Sequence, residues 1–155
     1  MDERSVAGLL IIAVFLFVFF LAGIFHKAGK PAALAFIPIV NAYIFFKITT
    51  GKAWLGLLHS SPFLFVVFGG MLQVSGLWTI TSESALQITV MTCILSFAIS
   101  VYGLIKLGDA FGKGGWFKFG LLFFTNIFIA ILAFGSSEYI GYQSGENQSS
   151  NTFYD

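Results

Sequence analysis

His59 stands in LLHSSPF beside Ser60 and Ser61, and a histidine next to a serine raises the chemistry of hydrolysis, in which the imidazole takes the hydroxyl proton. Adjacent positions on a helix point in different directions, and neither an orienting acid nor an oxyanion donor can be assigned, so a protease is not the reading we adopt. Ser100 with Lys106 fares no better, because a lysine so placed snorkels its ammonium toward an interface. His26 and His59 stand apart from each other and from any cysteine or carboxylate ligand, which leaves no metal site. Gly-Lys occurs three times, in GKPAALAF, GKAWLGLL and GKGGWFKF. A phosphate-binding loop, however, needs GxxxxGK followed by Ser or Thr, after a strand, and none of these sites has that hydroxyl. Carboxylates are missing where a proton relay needs them: Glu83 and Glu138 border apolar runs and Asp109 sits in a connection. That argues against proton-driven transport and leaves a passive pore open. Cys93 is the only cysteine, so no internal disulfide forms, and its apolar surroundings give it a packing role. Nothing in this inventory calls for a cofactor.

The elements that must position these side chains are membrane-borne. A chain of 155 residues that is 57% hydrophobic and only 10% charged has more apolar surface than one soluble core of its size can hide. A net charge of +1, with lysines spread thinly, excludes nucleic acid as a partner and leaves the lipid bilayer. Four runs, about 6–25, 54–78, 85–107 and 116–134, reach the roughly 20 residues that a bilayer crossing requires. The first follows Asp2, Glu3 and Arg4 rather than a basic cluster and exceeds the roughly 7–15 residues of a signal h-region. It is expected to be an uncleaved transmembrane helix. The predicted fold is an all-α integral membrane bundle of four transmembrane helices, a single membrane domain over residues 1–135, followed by a polar external tail over 136–155.

The lysines set the expected orientation, since loops rich in Lys and Arg stay on the cytoplasmic side. Lys27, Lys30, Lys47 and Lys52 fall between the first and second runs, and Lys106, Lys113 and Lys118 flank the connection DAFGKGG. TITSES and the tail have no Lys or Arg, so both termini are expected outside. Residues 31–49 remain to be placed. A crossing by 32–46 would invert every later loop, and 15 helical residues span only about 22 Å against about 30 Å of hydrocarbon. Pro31 suits the first turn of a helix, Pro38 disfavours helical geometry at Ile37, and Asn41 is expected to cap a second short helix. The pattern is helix, break, helix: a re-entrant or interfacial hairpin, in which the PIVN turn, Pro38 and Asn41 above all, packs tightly or lines a pore.

Two stripes complete the expectation. Thr89, Thr92, Ser96, Ser100 and Gly103 recur at steps of three and four on the third helix, and Gly69, Gln73 and Gly76 on the second. Small and polar residues so spaced make a helix-packing seam, or the wall of a polar conduit. At the lysine-rich face, Lys27, Lys30, Lys47, Lys52, Lys113 and Lys118 are placed to contact lipid headgroups, with Trp54 and Trp116 as interfacial anchors.

The segments FHKAGKPAALAFIPIVNAYIFFKITTGKAW, LIKLGDAFGKGGWFKFGLLFF and ILAFG resemble the small bacterial membrane domain catalogued as domain of unknown function 5684. That domain is in some bacteria fused to type I signal peptidase. KAGKP, the IPxxN turn and AFGKG are the most specific parts; Ala32 and Val40 depart from the aromatic and Tyr expected there, and 54–107 is longer than usual. No peptidase domain follows, so the resemblance implies a bacterial inner-membrane location and an indirect link to protein export, not an enzyme. The expected role is an accessory or scaffold subunit packed against a larger membrane protein complex. The alternative is a small passive channel or solute facilitator.

Overall fold

The computed structural model describes residues 3–76 and 81–142, which are helical with no strand among them. In chain order they form α1 (Glu3–Lys27), a 3-10 turn (Ala32–Phe36), α2 (Pro38–Thr50), α3 (Trp54–His59), α4 (Ser61–Val74), α5 (Ser82–Ala110), α6 (Gly115–Phe123) and α7 (Thr125–Phe134). Two stretches, Ser5–Lys27 of 23 residues and Ser82–Ala110 of 29, are long and apolar enough to cross a membrane. Only 24% and 11% of their apolar windows are buried, so most of that surface faces outward.

The other two expected spans are interrupted, which corrects the picture of four continuous helices. Between α3 and α4 the chain bends at Ser60 (φ −79°, ψ 0°), with a proline in the first turn of α4, where its missing N–H costs no helical bond. Between α6 and α7, Phe124 takes φ −125° and ψ 48°, outside helical geometry. There the chain turns back: the Phe117 and Phe128 rings meet edge to face at 4.9 Å, and a Cβ on Gly120 would collide with the Phe128 ring. The 116–134 segment thus enters the bundle and returns to the end it left.

Each Gly-Lys pair stops a helix at that same end. Gly29, Gly51 and Gly112 all adopt positive φ, 67°, 71° and 62°, a conformation in which glycine lacks the penalty other residues carry. After α1 the Lys30 amide donates to the Phe25 carbonyl at 2.8 Å and the Gly29 amide to His26 at 3.0 Å. After α5 the Lys113 amide reaches Gly108 at 2.8 Å and Gly112 reaches Asp109 at 2.9 Å. These paired bonds satisfy carbonyls that a helix end leaves orphaned.

Residues 135–142 lie across the three helix ends so formed. The Ile140 amide donates to the Ala110 carbonyl at 2.9 Å, the Tyr139 hydroxyl donates to Ile48 at 2.6 Å, and the Tyr142 ring sits where a Cβ on Gly51 would go. Lys27 binds the carbonyls of Leu132, Gly135 and Ser137 at 2.7, 2.6 and 3.0 Å. The described part of the tail therefore docks on the lysine-bearing end, while α1 begins about 37 Å away at the other. The expected position of the C-terminus itself falls on residues beyond 142, outside the described residues. The rest of the expected tail, from residue 143, and positions 77–80 lie outside the described residues.

Packing is concentrated in the lysine-bearing half. Leu21, Ile24, Phe25, Leu107, Leu121, Ile129 and Leu132 are fully buried there, and Gly23 lets α1 and α7 approach until an added Cβ would stand 2.9 Å from that of Ala133. In the far half α4 buries no residue, and the buried residues of α5 begin at Ile99.

Candidate functional site

The three interruptions converge on one cavity. Phe36 and Pro38 flank the first break, His59, Ser60 and Pro62 form the second, and Thr125 follows the third; all line a cavity of about 660 Å³ that α1 closes with Val14, Phe17, Val18 and Leu21. No Lys, Arg, Asp or Glu is among its described lining residues. Val14, Phe36 and Phe63, at its rim, are more than half exposed, so the cavity opens on the outer, apolar surface of the helices.

The first break follows from Pro38, which holds Ile37 extended at φ −101° and ψ 108° and starts α2. Asn41 is therefore the fourth residue of α2 and not its cap, a correction to the expected helix start. Its Nδ2 donates to the Ala35 carbonyl at 2.7 Å, tying the first turn of α2 to the 3-10 turn before it. A carbonyl can only accept, so the amide nitrogen must face Ala35 and Oδ1 is turned away from it.

His59 ends α3 and is the polar centre of the cavity wall. Its Nδ1 lies 3.0 Å from Ser96 Oγ, 3.1 Å from Ser100 Oγ and 3.3 Å from the Ser96 carbonyl. Ser96 Oγ donates to the His59 carbonyl and Ser100 Oγ to the Ser96 carbonyl, both at 2.8 Å. Each hydroxyl has one proton, and with that proton given to the carbonyl at the shorter distance, the tautomer of a neutral His59 that fits is the one with its hydrogen on Nδ1, donating into this cluster. Ser61 Oγ is buried without a hydrogen-bond partner. Ser96 and Ser100, the two serines whose hydroxyls lie within hydrogen-bond distance of His59 Nδ1, each also hold a backbone carbonyl.

The other expected residues fall in different places. Gly103 is buried against Phe46 and Phe45, where a Cβ would come within 2.8 and 2.9 Å. Thr89 and Thr92 spend their hydroxyls on carbonyls of their own helix, Ala85 for the first and Ile88 with Thr89 for the second. Gly69 is half-buried, whereas Gln73 and Gly76 are exposed. Through Ser96, Ser100 and Gly103 the stripe on α5 meets the α3–α4 junction and α2, and α4 also packs against α5. Among the lysines, Lys27 holds the α7 carbonyls, Lys118 and Lys106 both pair with Asp109, and Lys113 lies 5.6 Å over the Phe117 ring. Lys47 and Lys52 are exposed and Lys30 half-exposed.

Thr125 was not singled out from sequence, and Ser60 was noted only as a neighbour of His59. Ser60 Oγ donates to Gly56 at 2.9 Å and Thr125 Oγ1 to Leu121 at 2.7 Å, each closing the helix before its break. The signals were present as Ser60 two residues before Pro62 and as the pair Thr125-Asn126 inside an apolar run.

A family model described as Family of unknown function (DUF5684) matches residues 33–142. The match takes in all three breaks and the docked stretch 135–142. No curated protein and no solved structure matches the chain.

Proposed function

The chain belongs to the DUF5684 family of unknown function, and from that premise we propose that it is a multi-pass protein of the bacterial inner membrane that binds a small, largely apolar solute taken laterally from the bilayer, without performing chemistry on it. The observation that carries this reading is the convergence of three helix breaks on one cavity without Lys, Arg, Asp or Glu among its described lining residues. Backbone that leaves helical geometry within a bilayer is tolerated only where protein covers it or a cavity receives it. Interrupted helices at mid-depth are also how many membrane carriers build a binding site.

In this reading α1, the α3–α4 pair and α5 cross the membrane, and the segments 31–50 and 115–134 are re-entrant hairpins entering from the lysine side, which faces the cytoplasm. Lengths support it: Trp54–Val74 covers about 31 Å, matching a bilayer core, whereas α6 and α7 reach about 14 Å each, roughly half of it. Trp54 and Trp116, both exposed at helix starts on the lysine side, suit the headgroup level. The rim residues Val14, Phe36 and Phe63 then open the cavity to lipid. Photolabelling of the reconstituted chain with a carbene-generating apolar probe tests the role. Adducts on Phe36, Asn41 or Thr125 that vanish in Ser100→Phe are expected; adducts confined to outward faces, unchanged by that substitution, would remove the cavity from consideration.

A second reading, an accessory subunit of a larger envelope complex linked to export, draws on α4, whose 14 residues bury nothing within the chain. Gentle-detergent purification distinguishes it: a large partner at fixed ratio supports this reading, and a chain purified alone contradicts it.

A further inference from the structure

We infer that the cavity selects an uncharged long-chain molecule that brings its own hydrogen-bond donor, in the simplest case a long-chain alcohol resident in the bilayer. The inference rests on the solute-binding reading above and specifies its ligand. It comes from counting protons on the cavity wall. The hydroxyls of Ser60, Ser96, Ser100 and Thr125 all donate to backbone carbonyls, those of Gly56, His59, Ser96 and Leu121. In the neutral tautomer with its hydrogen on Nδ1, directed at the serine cluster, Nε2 is the bare, accepting nitrogen of the ring. Asn41 turns its nitrogen to Ala35 and leaves Oδ1 as acceptor. His59 and Asn41 both line the cavity, and neither Nε2 nor Oδ1 is among the buried atoms lacking a partner.

Apart from the second amide hydrogen of Asn41, the wall therefore offers lone pairs and no hydrogens. A carboxylate or phosphate would meet lone pairs without a cation to compensate, and an ether or ester head would leave those acceptors unsatisfied. A hydroxyl satisfies one of them, and its chain fills the apolar remainder of a cavity whose size is ordinary for a small ligand.

The test uses the full chain in lipid nanodiscs and three probes of equal chain length: tritiated 1-hexadecanol, with hexadecyl methyl ether and palmitate as competitors. Saturable binding of the alcohol at one per chain is expected, with ether and palmitate each about tenfold weaker or worse, the loss of one hydrogen bond. His59→Phe should weaken the alcohol about tenfold and leave the ether unchanged. Equal or tighter binding of the ether or of palmitate overturns the donor inference while leaving the solute-binding role intact. Absence of saturable binding by all three overturns both. Because the ligand series is read on the native chain, the outcome does not depend on the variant folding.

Discussion

Replacing Gly120 by alanine sets two effects of opposite sign against each other. Gly120 lies inside α6, where helix propensity alone makes Gly120→Ala more stable by about 1 kcal/mol. The added methyl, however, would overlap the edge of the Phe128 ring, with Cε2 at 2.6 Å and two further ring atoms nearer still. That ring is braced from its other side by Phe117, so it yields only by moving α7 away from α6. Overpacking of this kind costs about 1–3 kcal/mol, and with a braced aromatic the upper half of that range applies. The net expectation is a loss of about 1–2 kcal/mol, a shift of roughly five- to thirtyfold in the folded-to-unfolded ratio. The assay is reversible unfolding in mixed micelles followed by tryptophan fluorescence, with Phe128→Leu as the compensating change. Gly120→Ala should be less destabilising in the Phe128→Leu background than in the native one, a coupling expected only of residues in contact. A Gly120→Ala chain as stable as the parent, or more so, would refute the close approach of α6 and α7 on which the returning hairpin depends.

Lys27→Met should lower stability by about 1–3 kcal/mol, because three carbonyls at the end of α7 lose a charged donor, and Lys27→Arg should recover part of it in the same unfolding assay. Tyr139, outside the proposed spans, has its pKa raised above the usual 10.0 by burial. Its neutral phenol is the form that the folded chain favours, so its contribution is complete below the ordinary tyrosine pKa and is lost as pH rises through the higher folded value. Proteolytic release of residues 135–142 should accordingly accelerate at strongly alkaline pH, and Tyr139→Phe, which loses about 0.5–1.5 kcal/mol at neutral pH, should flatten that dependence. Gly51→Ala should destabilise by about 1 kcal/mol or more, since it forces φ 71° on a residue with a Cβ and displaces the Tyr142 ring; unchanged melting of the variant would contradict the docking of Tyr142.

The helical class and the two long helices were legible because uninterrupted apolar length is a strong signal, and the Gly-Lys stops were legible because lysine and glycine mark helix ends chemically. The break at Ile37 was legible through Pro38. What sequence hid was the return at Phe124. The run 116–134 is apolar but for Lys118 near its start and the pair Thr125-Asn126 at its middle, and it has no proline, so its length read it as one crossing. The turn is set instead by tertiary contact, the fit of Phe128 against Gly120 and Phe117, which periodicity does not encode. Asn41 was read as a cap because its side chain can cap; Pro38, already placed to begin α2, left it the different task of binding Ala35. His59 was noticed for its chain neighbours Ser60 and Ser61, and its partners Ser96 and Ser100, 37 and 41 residues away, were assigned to a seam without their shared histidine.

The most direct test of the returning hairpin, and with it of the cavity that Thr125 completes, is the sidedness of residue 138. In a Cys93→Ser background, single cysteines in place of Ser5, Lys52 and Glu138 would be exposed in intact cells and in inverted vesicles to a membrane-impermeant maleimide. The account predicts that position 138 labels from the same side as position 52 and from the side opposite to position 5. Labelling of 138 together with 5, and opposite to 52, would contradict it and restore a fourth full crossing.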